Sequence, residues 1–79
     1  ERDGLVETVA YYESILAVPA EESCVVGHMF QVASKLANEL GIAEKGFRLV
    51  INTGKDGGQS VRHVHLHMTG GREHGWPAG

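Results

Sequence analysis

The sequence predicts an α+β fold in which an antiparallel sheet packs against a long helix. Two observations predict it. Apolar residues recur at helical spacing in the first half of this 79-residue chain, whereas in the second half they alternate with polar residues, as strands do. Nine of the eleven glycines lie at or beyond Gly41, and glycine permits the tight turns that join strands. The length allows one small domain.

Residues 4–17 are predicted to form a first helix. The apolar residues that fall on one helical stripe are Leu5, Val9, Tyr12 and Leu16. Asp3 is a candidate N-cap, and Pro19 would end the helix because proline has no backbone N–H to donate.

Residues 22–40 are predicted to form the second and longer helix. Its apolar stripe consists of Val26, Met29, Ala33, Leu36 and Leu40. Gly41 is suited to the C′ position, where a left-handed backbone closes a helix. Ile42 can then supply the apolar contact of a Schellman stop.

Two strands are predicted next, at residues 47–52 and 61–69, because apolar and polar residues alternate there. A glycine-rich loop at residues 53–60 separates them. Adjacent strands with a loop of this size form an antiparallel hairpin. Residues 70–79 show no apolar period and are predicted to be irregular.

The second predicted strand carries three histidines. Since successive side chains point to opposite faces of a strand, His63, His65 and His67 would share one face. The other face would pack against a helix through Val64, Leu66 and Met68. We therefore expect the chemistry of the chain on this strand.

Three functions suit a strand of alternating histidines. Side chains two residues apart stand about 6–7 Å apart at the Cα level, so neighbouring imidazoles can flank a phosphate. One neutral ring could attack phosphorus while a protonated ring donates a proton or offsets charge. A His-x-His pair could instead chelate Zn²⁺, and a purely structural stripe is the third alternative.

The loop before this strand favours an anion. Gly57, Gly58 and Gln59 would offer backbone N–H groups at close approach, and Ser60 would offer a hydroxyl. Across the hairpin, Asn52 could donate its amide to a phosphate oxygen. The simpler alternatives are a flexible turn for the glycines and a turn residue for Asn52.

Taken in order, these motifs resemble the histidine triad (HIT) family, specifically its Hint branch of purine nucleoside phosphoramidases. Between Gly46 and Gly79 the chain has Asp-Gly-Gly-Gln-Ser, then His-x-His-x-His-x-x followed by Gly-Gly-Arg, and finally Trp-Pro. The helix at residues 23–41 resembles the second helix of that branch.

The resemblance implies hydrolysis of nucleoside 5′-phosphoramidates, or of related adenylated substrates, through a nucleotidyl-histidine intermediate. His65 would be the nucleophile, His67 would contact the phosphate and His63 would support the site. Ser60 and Asn52 would hydrogen-bond to phosphate oxygens or to the leaving group.

The resemblance also implies substrate-binding roles for Gly58 and Gln59 in the phosphate loop, which Gln59 would help to shape, and for Trp76. The tail that carries Trp76 would reach the active site of a partner subunit. The expected ligand is a purine nucleotide of the AMP type, bound by a homodimer or higher oligomer that needs no metal and no cofactor.

Residues 1–20 depart from the family, in which three strands and a helix at this place carry the purine pocket and an acidic group for the ribose. We expect one partial domain over residues 1–79, which lacks the usual N-terminal strands. In it, a diverged helical segment at residues 1–20 would precede the HIT-like core and tail at residues 21–79. Because an isolated hairpin is marginally stable and leaves open strand edges, we expect the chain to need a second copy or a missing segment.

Two other functions stay open: a nucleotide-binding or interaction protein that keeps the triad without catalysis, and a zinc-binding protein. Composition argues against two further classes of protein, those that bind nucleic acids and those that span membranes. The net charge is −3 and the basic residues form no run, which argues against nucleic-acid binding. No stretch is long and apolar enough for a membrane span, and the first residues do not start a signal peptide.

Cys24 is the single cysteine of the chain and cannot form an intrachain disulfide. A lone cysteine fits a reducing compartment. We therefore expect an intracellular protein, cytoplasmic with a nuclear location also allowed. The neighbouring Val25 and Val26 predict that the Cys24 thiol is buried.

Overall fold

The computed structural model describes residues 12–78, together with the backbone of residues 2–9. Its long elements are strand β1 (Arg2–Val9), helix α1 (Cys24–Glu39), strand β2 (Phe47–Val50) and strand β3 (Val64–Gly70). The strands form one antiparallel sheet in the order β1-β3-β2, so β3 lies in its centre. Helix α1 packs on one face of this sheet, and the predicted α+β fold is confirmed.

The helix predicted at residues 4–17 is wrong. Arg2–Val9 is strand β1, which pairs with β3 from Arg2 opposite Gly70 to Val9 opposite Val64. Asp3, expected to cap the helix, lies within β1 opposite Thr69. The segment is rich in β-branched residues, which favour strands. Pairing with β3 also satisfies backbone groups on both sides of an irregularity between Leu5 and Glu7.

The end of the predicted first helix is a short 3₁₀ turn, Ile15–Ala17, and a second 3₁₀ turn, Ala20–Glu22, follows beyond its predicted end. The hydroxyl of Ser14 caps the first turn by accepting a hydrogen bond from the N–H of Leu16, at 3.2 Å. The start of the described chain is therefore a strand paired with β3 rather than a helix.

Helix α1 confirms the second predicted helix. Met29, Ala33 and Ala37 recur every four residues and are buried, so this stripe faces the sheet. Cys24, at the start of the helix, falls on a different face and is exposed. The expectation of a buried thiol is therefore wrong.

The helix ends as the sequence predicts. Gly41 has a φ of 76°, and its N–H donates to the carbonyl of Asn38 at 3.2 Å. The N–H of Ile42 donates to the carbonyl of Ala37 at 3.0 Å. These are the two bonds of a Schellman motif. Ile42 is buried beside Ala37 and Met68, which gives the expected apolar contact.

The predicted hairpin is confirmed, with shorter strands. Strand β2 pairs with β3 from Phe47 opposite Gly70 to Val50 opposite His67. Strand β2 ends at Val50 rather than Asn52, and β3 begins at Val64 rather than Val61, because the residues between them fold into a structured loop.

The core lies between α1 and the central strand. Along β3 burial alternates strictly, with Val64, Leu66 and Met68 buried. Leu66 and Met29 are both fully buried and belong to the same cluster. The opposite face of β3 is thereby left for the histidines. Within the described residues, no helix has the length and apolar character that crossing a bilayer requires.

Candidate active site

The three histidines form one row along β3. His65 and His67 lie in the strand and are half-buried, and His63 is exposed just before it. The ring centroids of His63 and His65 are 6.0 Å apart, and those of His65 and His67 are 6.2 Å apart. This spacing leaves room for a small group beside the middle ring.

The backbone sets the tautomer of His65. Its Nδ1 lies 2.7 Å from the carbonyl oxygen of His63. A carbonyl oxygen only accepts hydrogen bonds, so we assign the proton to Nδ1. In the neutral ring, Nε2 then carries the lone pair. His65 is thus prepared to act as a nucleophile or base through Nε2.

The row opens into a cleft of about 230 Å³. Its lining residues are Asn52, Gly58, Gln59, Ser60, Val61, His63, His65 and His67. Seven of the eight predicted site residues therefore meet in one place. Val61 was not predicted, because a valine at the start of a strand gives no chemical signal. The cleft is smaller than the roughly 300–1,000 Å³ of typical small-molecule sites.

The glycine loop repeats the turn that ends α1. The N–H of Gly58 donates to the carbonyl of Lys55 at 3.1 Å, and the N–H of Gln59 donates to the carbonyl of Gly54 at 3.0 Å. Gly58 has a φ of 79°, as a Schellman turn requires. These two N–H groups thus donate within the loop, which corrects the expectation that they are directed at an anion.

The side chain of Asn52 and the small size of Gly57 hold this loop in its tight shape. The amide of Asn52 donates to the carbonyl of Gly57 at 2.7 Å. Gly57 is a steric requirement, since a Cβ there would stand 2.2 Å from the carbonyl oxygen of Thr53. Of the two N–H donors on an amide group, this contact engages one, so Asn52 keeps a second donor at the cleft.

Gln59 ties the loop to a distant part of the chain. Its Oε1 accepts a hydrogen bond from the N–H of Gly54 at 2.9 Å. Its Nε2 donates to the carbonyls of Val61, at 3.0 Å, and of Glu13. The structure therefore uses the Gln59 side chain to organise the loop.

The segment that Gln59 contacts is fixed to the sheet and to the second 3₁₀ turn. The carbonyl of Tyr12 accepts a hydrogen bond from the N–H of Val64 at 3.1 Å. The Tyr12 hydroxyl donates to the carboxylate of Glu22. That bond raises the pKa of the Tyr12 phenol above its usual value, because the phenol must keep its proton in order to donate it and because losing it would also bring two negative charges together.

Trp76 does not lie among the residues that line the cleft. Its side chain is 85% exposed, and the guanidinium carbon of Arg48 stands 5.1 Å from its ring centroid. Arg48 also donates to the carbonyl of Gly75 at 2.9 Å. No motif in the sequence singles out Arg48.

The zinc alternative has no ligand set in the part of the chain that the structure describes, where no three suitable side chains converge. His28 is exposed on α1. His74 is half-buried, and its Nε2 has no hydrogen-bond partner among the described residues.

Comparisons with known proteins agree with this geometry. A family model described as "HIT domain" matches residues 12–74. The chain is 51% identical over 55 residues to a purine nucleoside phosphoramidase of Escherichia coli. The aligned segment covers 70% of this chain and 46% of that protein. It is 42% identical over 66 residues to an uncharacterized HIT-like protein of Synechococcus elongatus, covering 84% of this chain and 57% of the relative.

Solved structures give the same result. The crystal structure of a HIT family hydrolase from Legionella pneumophila superposes with a TM-score of 0.83 at 41% identity, over 86% of this chain and 61% of that one. A histidine triad protein from Clostridium difficile superposes with a TM-score of 0.79 at 39% identity, over 81% and 56%. The chain spans about half the length of the curated relatives it matches.

Proposed function

We propose that this chain, which belongs to the HIT domain family, hydrolyses nucleoside 5′-phosphoramidates or related adenylated substrates through His65. The observation that carries the proposal is the hydrogen bond at Nδ1 of His65, from which we assign the tautomer of the ring. Its Nδ1 proton is held by the carbonyl of His63, so Nε2 is the nucleophilic atom. The name of the Escherichia coli relative supports the choice of substrate class.

In the first step, Nε2 of His65 attacks the α-phosphorus and a nitrogen–phosphorus bond forms. The bond from phosphorus to the leaving amine breaks, and the amine departs with a proton taken from solvent or from a neighbouring imidazole. His65 then carries a positive charge, and the Nδ1–H bond to the His63 carbonyl becomes a stronger, charge-assisted one. That bond stabilises the nucleotidyl-histidine intermediate more than it stabilises the free neutral ring.

In the second step, water attacks phosphorus and the bond to Nε2 breaks. The nucleoside monophosphate leaves, and the proton lost by water is released to solvent or to a neighbouring imidazole. His67, whose ring stands 6.2 Å from that of His65, can offset the phosphate charge when protonated. Ser60 and the second amide N–H of Asn52 are the neutral donors for the phosphate oxygens.

The purine needs more surface than this cleft offers. A volume of about 230 Å³ suits the phosphate and the atoms next to it. We propose that a second copy of the chain, or a further segment, supplies the walls for an AMP-type nucleotide, with Trp76 directed toward the partner subunit. A nucleotide substrate and a lone cysteine both suit an intracellular location.

The test is turnover of a fluorogenic adenosine phosphoramidate by the wild-type chain, by His65→Ala and by His28→Ala. His28 is exposed on α1, so its variant controls for loss of an imidazole elsewhere. We expect His65→Ala to fall to the background rate and His28→Ala to match wild type. A wild-type chain that turns over the substrate no faster than His65→Ala would refute the proposed enzymatic activity.

A non-catalytic nucleotide-binding or interaction protein is the second candidate. A cleft that fits the phosphate but not the purine favours it, because such a cleft can hold a phosphate without orienting the rest of a substrate for attack. This candidate predicts that AMP binds while no phosphoramidate is turned over. Calorimetric titration of the wild-type chain with AMP separates the two candidates when combined with the turnover assay.

A further inference from the structure

A second group of side chains shares the face of the sheet that carries the histidines. Residues paired directly opposite each other on neighbouring strands point to the same side, and every second pair shares a face. Val50 is opposite His67, and Arg48 is opposite Thr69. Arg48 therefore belongs to the next pair on the histidine face, one step beyond His67.

Arg48 holds the C-terminal segment on this face through two contacts. Its Nη2 donates to the carbonyl of Gly75 at 2.9 Å. Its guanidinium carbon lies 5.1 Å from the centroid of the Trp76 ring, within the range of about 6 Å for a cation–π contact. A hydrogen bond to Gly75 and a cation–π contact to Trp76 together hold two consecutive residues of the segment against Arg48.

Trp76 stands in an unusual environment for a tryptophan. The side chain is 85% exposed, although most tryptophans are largely buried. Arg48, by contrast, is half-buried in the sheet. The indole thus contacts the Arg48 guanidinium and is otherwise exposed to solvent, which leaves it able to contact another molecule.

We propose that Arg48 is a positioning residue for the reaction at His65. It acts by holding residues 75–76 on the histidine face, which sets where the Trp76 indole meets the leaving group of a substrate bound at the triad of a partner subunit. Arginine is needed because its planar fork donates to a carbonyl and stacks on a ring at the same time, which the compact ammonium of lysine does not do. This inference rests on the proposed function.

The first measurement is the fluorescence of the chain. Trp76 is the single tryptophan, so its anisotropy reports the mobility of the tail directly. We expect Arg48→Gln to lower the anisotropy and Arg48→Lys to lower it less. Arg62→Lys is the matched control, because Arg62 is an exposed residue whose recorded ion pair is with Glu13, at 3.6 Å. Unchanged anisotropy in Arg48→Gln, with a native circular dichroism spectrum, would overturn the inference.

The second measurement is selectivity between two leaving groups. For an adenosine phosphoramidate with a bulky aromatic amine, we expect Arg48→Gln to reduce kcat/KM about tenfold, mainly through KM, as expected for loss of a positioned contact. For the unsubstituted phosphoramidate we expect less than about a twofold change. Since Arg48 would act through Trp76, Arg48→Gln should add little to Trp76→Ala.

The results that would overturn this inference differ from the result that would overturn the proposed function. Lower anisotropy with an unchanged selectivity ratio would overturn the inference while leaving the proposed function intact. Full additivity of the Arg48 and Trp76 variants would do the same. No turnover by the wild-type chain would defeat the proposed function, and this inference with it.

Discussion

A single methyl group added at Gly57 tests whether the shape of the glycine loop sets the activity of the cleft. The Cβ of an alanine at this position would stand 2.2 Å from the carbonyl oxygen of Thr53, whereas ordinary contacts begin at 3.4 Å. The loop must therefore move by about 1.2 Å at this point. The obstacle is backbone, so rotation of a side chain cannot relieve it.

The movement would reach the cleft through one hydrogen bond. The carbonyl of Gly57 accepts from Asn52 at 2.7 Å, and the next residues along the loop, Gly58 to Ser60, line the cleft. A misplacement of about 1 Å can cost about 10²-fold in rate, which corresponds to about 2.7 kcal/mol in the activation free energy. We expect Gly57→Ala to lose activity by about that factor.

The assay compares kcat/KM of Gly57→Ala with that of Gly27→Ala, using the fluorogenic phosphoramidate. Gly27 lies in α1, and a Cβ there meets nothing within 4 Å. Gly27→Ala should keep wild-type activity and stabilise the helix by about 1 kcal/mol. Wild-type activity in Gly57→Ala would refute the reasoning that the loop's shape sets the reaction.

Leu66→Ala should lower the free energy of unfolding by about 2–5 kcal/mol, since Leu66 is fully buried. Leu16→Ala, at an 85% exposed position, should change it by less than about 0.5 kcal/mol; equal effects in urea denaturation would contradict the core described here. The raised pKa of Tyr12, caused chiefly by its bond to Glu22, means that this bond stabilises the fold below the ordinary pKa of tyrosine. That stabilisation is lost as the pH rises through the higher value. Glu22→Gln should lower the midpoint of the ultraviolet titration, and an unmoved midpoint would count against this cause.

The long helix and the histidine strand could be predicted because their signals are local. Alternation of His65 and His67 with Leu66 and Met68 decides which side of β3 is buried, whatever the strand pairs with. The helix likewise follows from a short apolar period and from Gly41 at its end. Each of these patterns is complete within a few neighbouring residues.

Strand β1 could not be predicted in the same way. Its apolar residues fit a helical stripe, and it is a strand because it pairs with residues more than fifty positions later, as Val9 does with Val64. Such pairing forms only in the finished sheet, and tertiary contacts of this kind can override the local propensity of a segment. The sequence pattern alone contains no trace of this partner.

The candidate site shows the same division. The residue types around the cleft were predicted from motifs, but the hydrogen bonds that they make were not. The side chain of Gln59 bonds within the loop, and the N–H of Gly58 is engaged inside the loop. The tautomer of His65 depends on the path of the backbone at His63, which no motif encodes.

The bond from Gln59 to the carbonyl of Glu13 joins residues 46 positions apart. Closing a chain segment of that length costs entropy before any contact is gained, so we expect the glycine loop to reach its final shape late in folding. By the same logic the loop belongs to the parts of the native state that open most readily. At low urea, catalytic activity should therefore decline before the circular dichroism of α1 does, and the chain would be inactivated by local opening while its helix is still intact.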